Sequence, residues 1–280
     1  MKERIFKMKK LCCLIMICIM VCTTADVYGA ITVGGSAPGK YQENGNCSYG
    51  DRNSAVIFVE EFMDEITYDP WFGSPVANKK FLYKNDWAWE VDMKPGAQSN
   101  DSIDDVNFMI YCGHGLAKGK HGLSNNSLHY YTCNSSTSFH NSSTESIGSS
   151  NLTTAEARWG KAGTQTRWVA LFTCNFLNSN DSQWCMMMQG IRVCMGFGTT
   201  MWIDSREGEM FGEDLYDGEK IIDAFLDGAS TYQSGKITGG VEAKAIYTSA
   251  TRNDTIESST ARQTPIGGDT TYYVITRYIP

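Results

Sequence analysis

A histidine and a cysteine that each follow a short apolar run are the residues of this sequence best suited to covalent chemistry. His114 follows the apolar run Val106–Tyr111 by three residues, and Cys174 follows the run Trp168–Phe172 by two. A cysteine thiolate is a good nucleophile, and an imidazole within reach can take up the thiol proton and later protonate a leaving group. The two residues therefore predict acyl transfer by a His/Cys dyad, if the fold brings them together.

Two glycines flank the histidine and fit the same chemistry. Gly113 and Gly115 leave room for a substrate to approach the backbone closely. Backbone N–H groups aimed at a developing oxyanion contribute strongly to acyl transfer. We predict that the N–H groups of Gly115 and Cys174 form such an oxyanion hole.

The runs that precede the histidine and the cysteine have the length and composition of strands buried on both faces. A third such run is Ile191–Phe197. Helical patterns are found at Thr153–Gly160, which resembles a capping box, and at Ser182–Gly190, Glu209–Tyr216 and Gly218–Ala229. Strands that alternate with helices predict an α/β layered fold with a mainly parallel sheet, whose functional residues lie at the carboxyl ends of the strands.

Other segments give weaker patterns. Residues 31–53 are rich in Gly, Ser and Asn and predict an irregular segment, and Ala55–Phe62 fits either a strand or a helix. Lys79–Glu90 favours extended structure. Ala243–Thr248 and Thr271–Tyr278 alternate apolar and polar residues, which is typical of half-exposed or antiparallel strands.

The start of the chain has the order of a secretory signal peptide. Five basic residues precede an uncharged run, Leu11–Cys22, and small residues follow it, so we expect cleavage after Ala25 or Gly29. The run is too short to cross a bilayer comfortably, and no second run approaches that length. We therefore expect a signal peptide at 1–29, an irregular segment at 30–53 and an α/β domain at 54–280. That domain carries a Ser/Asn/His-rich insert at 116–154, and we expect it to be secreted or held at the cell surface, with no membrane span.

Charge and cysteine content narrow the function further. Residues 1–30 hold five of the 24 basic and two of the 31 acidic residues, so the remainder has 19 basic and 29 acidic residues and a net charge of −10. This acidity argues against nucleic-acid binding, which needs a basic surface. Six cysteines lie after residue 30 and allow up to three disulfides. They are Cys47, Cys112, Cys133, Cys174, Cys185 and Cys194. A nucleophilic Cys174 would have to stay unpaired.

Several motifs together resemble the cysteine peptidases that include caspases, gingipains, clostripain and legumain. The segments are VNFMIYCGHG (106–115), WVALFTCN (168–175), GFGTT (196–200) and GEDLYDGEKIIDAFLDGA (212–229). The likeness extends over about residues 54–231 and is greatest to an uncharacterised group of secreted bacterial proteins with caspase-like architecture. The resemblance implies a three-layer α/β sandwich. It also implies an enzyme that acts on a peptide or protein substrate and needs no cofactor.

By this resemblance, His114 is the general acid/base and Cys174 the nucleophile. It also places Thr199, Trp202 and Asp204 near the pocket for the substrate's P1 side chain, where Asp204 would select Arg or Lys by a charge-assisted contact. Thr173 departs from the small residue that many relatives carry before the nucleophile. No processing site between two subunits is evident.

Two other kinds of function fit parts of the sequence. Cys174 could be an inert buried cysteine and Asp204 an exposed loop carboxylate, which would leave an inactive caspase-like binding module. Alternatively, the histidines and cysteines of the insert region could hold zinc or copper, although no compact ligand pair is present, so we predict no metal. The residues concerned are Cys112, His114, His121, His129, Cys133 and His140.

Overall fold

A mixed seven-stranded sheet runs through the computed structural model. The structure describes residues 31–39, 51–67, 75–88, 90–95, 101–116, 127–129, 151–161, 163–178, 184, 187–258 and 271–280. The strands are β1 (Ile31–Ala37), β2 (Ala77–Lys84), β3 (Phe108–Cys112), β7 (Trp168–Phe172), β8 (Val193–Phe197), β9 (Val241–Thr248) and β10 (Tyr272–Ile279). Their order across the sheet is β10-β9-β8-β7-β3-β1-β2.

Parallel pairing dominates the sheet. The pairs β1–β2, β1–β3, β3–β7 and β7–β8 are parallel, and only β8–β9 and β9–β10 are antiparallel. The predicted α/β fold with a mainly parallel sheet is therefore confirmed. The prediction of two antiparallel strands near the end of the sequence is confirmed as well. A second, small sheet joins β4 (Gly115–Leu116), β5 (Ser127–His129) and β6 (Asn151–Thr153).

Three helices cover one face of the large sheet. They are α1 (Asn53–Thr67), α3 (Ser205–Tyr216) and α4 (Ile221–Gln233), whereas α2 (Thr154–Ala157) is a single turn that the predicted capping box of Thr153 and Glu156 begins. In α1 the buried residues follow helical spacing over its whole length, which resolves the choice between strand and helix at Ala55–Phe62. Segment Lys79–Glu90 is a strand only as far as Lys84, and short 3₁₀ turns follow it.

The sheet separates two apolar cores. The helix-side core joins the strands to α1, α3 and α4, and the loop-side core joins their other face to irregular segments and α2. Sheet and covering layers are compatible with a three-layer sandwich. No helix among the described residues has both the length and the apolar character needed to cross a bilayer. The predicted signal peptide and most of the 116–154 insert lie outside the described residues, as do four of the nine residues of the predicted helix Ser182–Gly190.

The prediction of an irregular segment at 30–53 is wrong for its first part, because Ile31–Ala37 is the strand β1 and lies between β3 and β2. Its glycines hid it from a sequence pattern based on bulky apolar residues. A β-carbon on Gly34 would overlap the ring of Phe81, and one on Gly35 would meet Val59 and Leu82. Neighbouring side chains thus fill the space that larger residues would occupy in an ordinary strand.

A buried ion pair connects segments at the end of the sheet where the parallel strands begin. The Arg192 guanidinium donates to both carboxylate oxygens of Asp254, at 2.6 and 2.7 Å, and the Trp168 indole N–H donates to the same carboxylate at 2.9 Å. Both charged side chains are more than nine-tenths buried. The pair ties the turns after β9 to the starts of β7 and β8, at the opposite ends of the strands from His114 and Cys174.

We expect Asp254→Ala to lower the free energy of unfolding by about 3–5 kcal/mol, because it leaves the buried guanidinium without its carboxylate partner. Urea denaturation measures the loss. Asp227→Ala is the matched control, since it removes the carboxylate of the exposed Asp227–Arg277 pair and should cost less than about 1 kcal/mol. Equal losses in the two variants would contradict this account of the buried pair.

Candidate active site

A cleft of about 480 Å³ opens at the edge of the sheet where the parallel strands end. After β1 the chain crosses to β2 on one side, and after β2 it returns to β3 on the other side of β1. In open α/β sheets, such a reversal of strand order leaves a crevice outside the carboxyl ends of the strands, where ligands bind. The cleft's described lining residues are Asp51, Arg52, Asn53, Ser54, Gly113, His114, Cys174, Thr200, Met201, Trp202, Ile203 and Ile237.

The strands that carry the histidine and the cysteine are direct neighbours. β3 and β7 are parallel, and Cys112 at the end of β3 pairs with Phe172 at the end of β7. Both of these residues belong to the helix-side core, and Cys174 packs against the same core. The sheet therefore delivers His114 and Cys174 to one edge, and both residues line the same cleft.

Glycine at position 115 lets the two strand ends come together. A β-carbon there would overlap the carbonyl oxygen of Cys174 and the Oγ1 of Thr173. The Gly113 N–H also donates to the Phe172 carbonyl, at 3.2 Å, which continues the β3–β7 ladder towards the cleft. The backbone after His114 thus lies directly against the backbone of Cys174, and any larger residue would separate them.

Phe172 anchors the end of β7 just before the cysteine. Its ring lies 4.3 Å from that of Phe58 in α1, measured between centroids, and 5.4 Å from that of Phe225 in α4. The rings of Phe197 and Phe211 lie within 6 Å of it as well. Packing of this kind, buried on every side, fixes the position from which Cys174 projects.

The thiol of Cys174 is half-buried, is not in a disulfide and contacts the main chain of Met201. The Met201 N–H donates to Sγ at 3.4 Å, and the thiol donates to the Met201 carbonyl at 3.7 Å. Burial raises the pKa of the Cys174 thiol, while the Met201 N–H and the nearby positive charge of Arg52 lower it in part. Burial is the largest of these effects and favours the protonated thiol.

Positive potential reaches the cleft from the start of α1. Arg52 precedes the helix, and Asn53 and Ser54 form its first turn at the cleft wall. The amino end of a helix carries a partial positive charge, which favours an anion nearby. Asp51 places a carboxylate in the same wall, so the cleft holds charges of both signs.

The structure brings together only some of the predicted site residues. His114, Cys174 and Trp202 line the described part of the cleft, and the Trp202 side chain is 53% exposed there. Gly115, Thr199 and Asp204 are not among those lining residues. Thr199 instead joins neighbouring segments, because its carbonyl accepts from the Asn175 N–H and its Oγ1 accepts from the Glu242 N–H.

Asp204 begins helix α3. Its side chain accepts from the Arg206 N–H as an N-cap, and the Arg206 guanidinium donates to both of its oxygens, at 2.9 and 2.7 Å. These contacts hold the pKa of the Asp204 carboxyl below its usual value. A carboxylate already paired in this way does not support the hypothesis that it selects a basic P1 side chain.

The cleft wall at 51–54 and the lining residues Met201, Ile203 and Ile237 could not be recognised from the sequence pattern. The first omission follows from the error at β1, because a recognised strand at 31–37 would have pointed to the segment after it. The metal hypothesis falls largely on residues that the structure does not describe, including His121, Cys133 and His140. Within the described ranges no group of three or more His, Cys, Asp or Glu residues could hold a metal ion.

We expect Arg52→Gln to raise the pKa of Cys174, because it removes a positive charge that favours the thiolate. The midpoint of the pH dependence of alkylation by iodoacetamide should then rise by a few tenths of a pH unit. At pH 7 the reaction should be about twofold slower. High salt should shrink the difference, since Arg52 is exposed. Lys161→Gln, which removes an exposed cation from the opposite edge of the sheet, is the control, and an equal shift there would contradict the assignment.

Comparison with known proteins gives a family but no activity. No curated protein matches the chain. The family model described as "Domain of unknown function (DUF6345)" matches residues 48–277, which include Arg52, His114, Cys174 and Trp202, while β1 precedes the matched span. Because the match extends over most of its length, the chain belongs to the DUF6345 family.

Proposed function

We propose that this protein is a cysteine-peptidase-like enzyme that uses His114 and Cys174 for acyl transfer at peptide bonds. The observation that carries the proposal is the convergence of the two residues on one cleft from the ends of adjacent parallel strands. A free thiol and a histidine that line one cleft, at the carboxyl ends of parallel strands, are the groups that nucleophilic catalysis needs.

The chemistry begins from a protonated thiol, because the Cys174 pKa is raised. In the proposed step, His114 takes the thiol proton as Sγ attacks the carbonyl carbon, which forms a C–S bond and an oxyanion. Collapse of the oxyanion breaks the C–N bond, and the imidazolium gives its proton to the departing amine. Water then hydrolyses the thioester, with His114 again as base, and restores the thiol.

We further propose that the fold is caspase-like and that the protein is secreted. A caspase-like arrangement is supported by the parallel strands that end at His114 and Cys174, by α1, α3 and α4 on one face, and by the antiparallel pair at one edge. Secretion is supported by the order of basic, apolar and small residues at the start of the sequence. For the oxyanion hole we propose the N–H groups of Gly115 and Cys174: Gly115 lies directly against the Cys174 carbonyl, and Cys174 itself lines the described part of the cleft.

We propose that Arg52 and Asp51, and not Asp204, set the charge preference for the substrate. Both residues line the cleft, whereas the Asp204 carboxylate is held by Arg206. Trp202 adds an exposed aromatic surface beside Cys174 against which an apolar side chain of the substrate can pack.

An inactive binding domain is the second candidate, and the exposed Trp202 favours it. An aromatic side chain more than half exposed in a cleft is suited to hold a peptide whether or not chemistry follows. The two candidates differ in one respect that can be measured, which is the reactivity of Cys174.

We expect an electrophilic peptide reagent, such as an acyloxymethyl ketone, to modify Cys174 of the full chain. His114→Ala should slow the modification by about 100-fold or more, since general-base assistance typically contributes 10²–10⁴-fold. Mass spectrometry of the labelled peptide identifies the site and gives the rate.

Cys194→Ser is the matched control for that experiment, because this thiol lies in the loop-side core, away from the cleft, where burial raises its pKa strongly. Its labelling pattern should match that of the unchanged protein. A Cys174 that stays unlabelled in folded protein would remove the peptidase proposal and leave the binding domain.

We expect Asp204→Asn to leave the preference between acidic, neutral and basic P1 residues unchanged, since asparagine preserves the helix cap and the carboxylate does not line the cleft. Arg52→Gln and Asp51→Asn should shift that preference in opposite directions. Competition among matched peptide electrophiles that differ only at P1 measures it. Loss of basic-P1 labelling in Asp204→Asn alone would restore the original role of Asp204.

A further inference from the structure

The segment between β8 and α3 connects the cleft to a polar cluster inside the helix layer. Met201 and Trp202 both line the cleft, and Met201 makes the two main-chain contacts with the Cys174 sulfur. On the helix side of this segment lies Gln233, the last residue of α4, whose side chain is completely buried.

Gln233 holds the main chain of Trp202 at both of its polar groups. The Gln233 Oε1 accepts from the Trp202 N–H at 2.8 Å, and its Nε2 donates to the Trp202 carbonyl at 2.7 Å. A carboxamide that binds both groups of one residue acts like an adjacent strand and fixes the position of that residue along the chain as well as across it. Trp202 therefore cannot shift without the loss of two partly buried hydrogen bonds.

Glu207 completes the cluster from α3. The second N–H of Gln233 Nε2 donates to the Glu207 Oε2 at 2.5 Å, which fixes the orientation of the amide. Glu207 is completely buried, and burial raises the pKa of its carboxyl to about 8. The carboxyl group is therefore mainly neutral at pH 7, and its other oxygen, Oε1, is buried with no hydrogen-bond partner in the part of the chain that the structure describes.

Two adjacent residues are thus each held at both main-chain groups, from opposite directions. Cys174 contacts the N–H and carbonyl of Met201, and Gln233 contacts the N–H and carbonyl of Trp202. The N–H contact with Sγ, at 3.4 Å, is an ordinary distance for a sulfur acceptor and depends on where the Met201 N–H is placed. That placement is in turn fixed one residue further along by the buried amide.

We propose that Gln233 is a positioning residue for the candidate nucleophile: through Trp202 it holds the Met201 N–H against the Cys174 sulfur and keeps Trp202 in the cleft wall. This inference rests on the proposed function for its catalytic meaning. The coupling from Gln233 to the thiol is a property of the folded chain and can be measured without a substrate.

The test uses Gln233→Met in the full chain, since methionine has nearly the same volume and favours a helix but cannot make the hydrogen bonds. The measurement is the pH dependence of Cys174 alkylation by iodoacetamide, followed by mass spectrometry of the peptide that contains Cys174. With the Met201 N–H released, the thiolate loses a donor, so the midpoint should rise by about one pH unit and alkylation at pH 7 should slow about tenfold.

Variants at Glu207 give a graded check. Glu207→Gln preserves an acceptor oxygen for the Gln233 amide, so the alkylation midpoint should stay within a few tenths of a unit of its original value. Glu207→Leu removes the acceptor and should shift the midpoint in the same direction as Gln233→Met, by less. Ala229→Gly, which weakens α4 without the loss of a polar side chain, controls for a general loosening of the helix and should leave the midpoint unchanged.

If Gln233→Met does not fold, Gln233→Asn replaces it, because the shorter amide keeps its polarity but cannot reach both groups of Trp202. An unchanged midpoint in a folded Gln233 variant, or an equal shift in Ala229→Gly, would overturn the inference. The outcome is separate from that of the proposed function. If the midpoint shifts but no peptide electrophile labels the protein, the coupling between Gln233 and Cys174 stands and the peptidase proposal fails. If the protein is labelled but the midpoint does not shift, the peptidase proposal stands and the coupling fails.

Discussion

The parallel pairing of β3 with β7 is the constraint on which the candidate site depends. Its register brings Cys112 beside Phe172, so the next residues of both strands leave the sheet at the same edge. The absence of a side chain at Gly115 then allows the two backbones to touch beyond the last paired residues. A shift of one residue in this register would turn one of the two reactive side chains to the other face of the sheet.

Burial and polarity oppose each other at the cysteine. The aromatic rings around Phe172 bury the end of β7 among apolar side chains and fix its position. Burial also raises the pKa of Cys174. Local donors reduce that effect only in part, because one sulfur–amide contact and an exposed guanidinium are weak compared with desolvation. If Cys174 is the nucleophile, a thiol that is protonated at rest needs a base before it can attack, and this is the role proposed for His114.

Much of the central sheet could be predicted from the sequence, because β3, β7 and β8 consist of bulky apolar residues ended by glycine or polar residues. The same pattern correctly placed His114 and Cys174 at strand ends. It failed at β1, where Gly34 and Gly35 replace the usual branched residues because Phe81, Val59 and Leu82 fill their space. Information of that kind lies in distant parts of the chain and is absent from any local window.

Polar contacts within the site were harder to predict for a related reason. Asp204 precedes helix α3 and has Arg206 two residues later, a pattern as typical of a capped helix as of a binding loop, and the structure shows the cap. Gln233 lies 31 residues from Trp202, and its buried amide resembles a surface residue at a helix end when only the sequence is considered.

The two edges of the sheet use buried charge in different ways. At the edge where the parallel strands begin, Arg192 and Asp254 form a complete pair whose desolvation is offset by direct ion-pair hydrogen bonds. In the helix layer, burial raises the pKa of the Glu207 carboxyl to about 8, and among the described residues its Oε1 has no hydrogen-bond partner. A purely structural carboxyl group would gain from full pairing. The retention of a half-satisfied one beneath the segment that holds the nucleophile fits a role in orienting the amide above it.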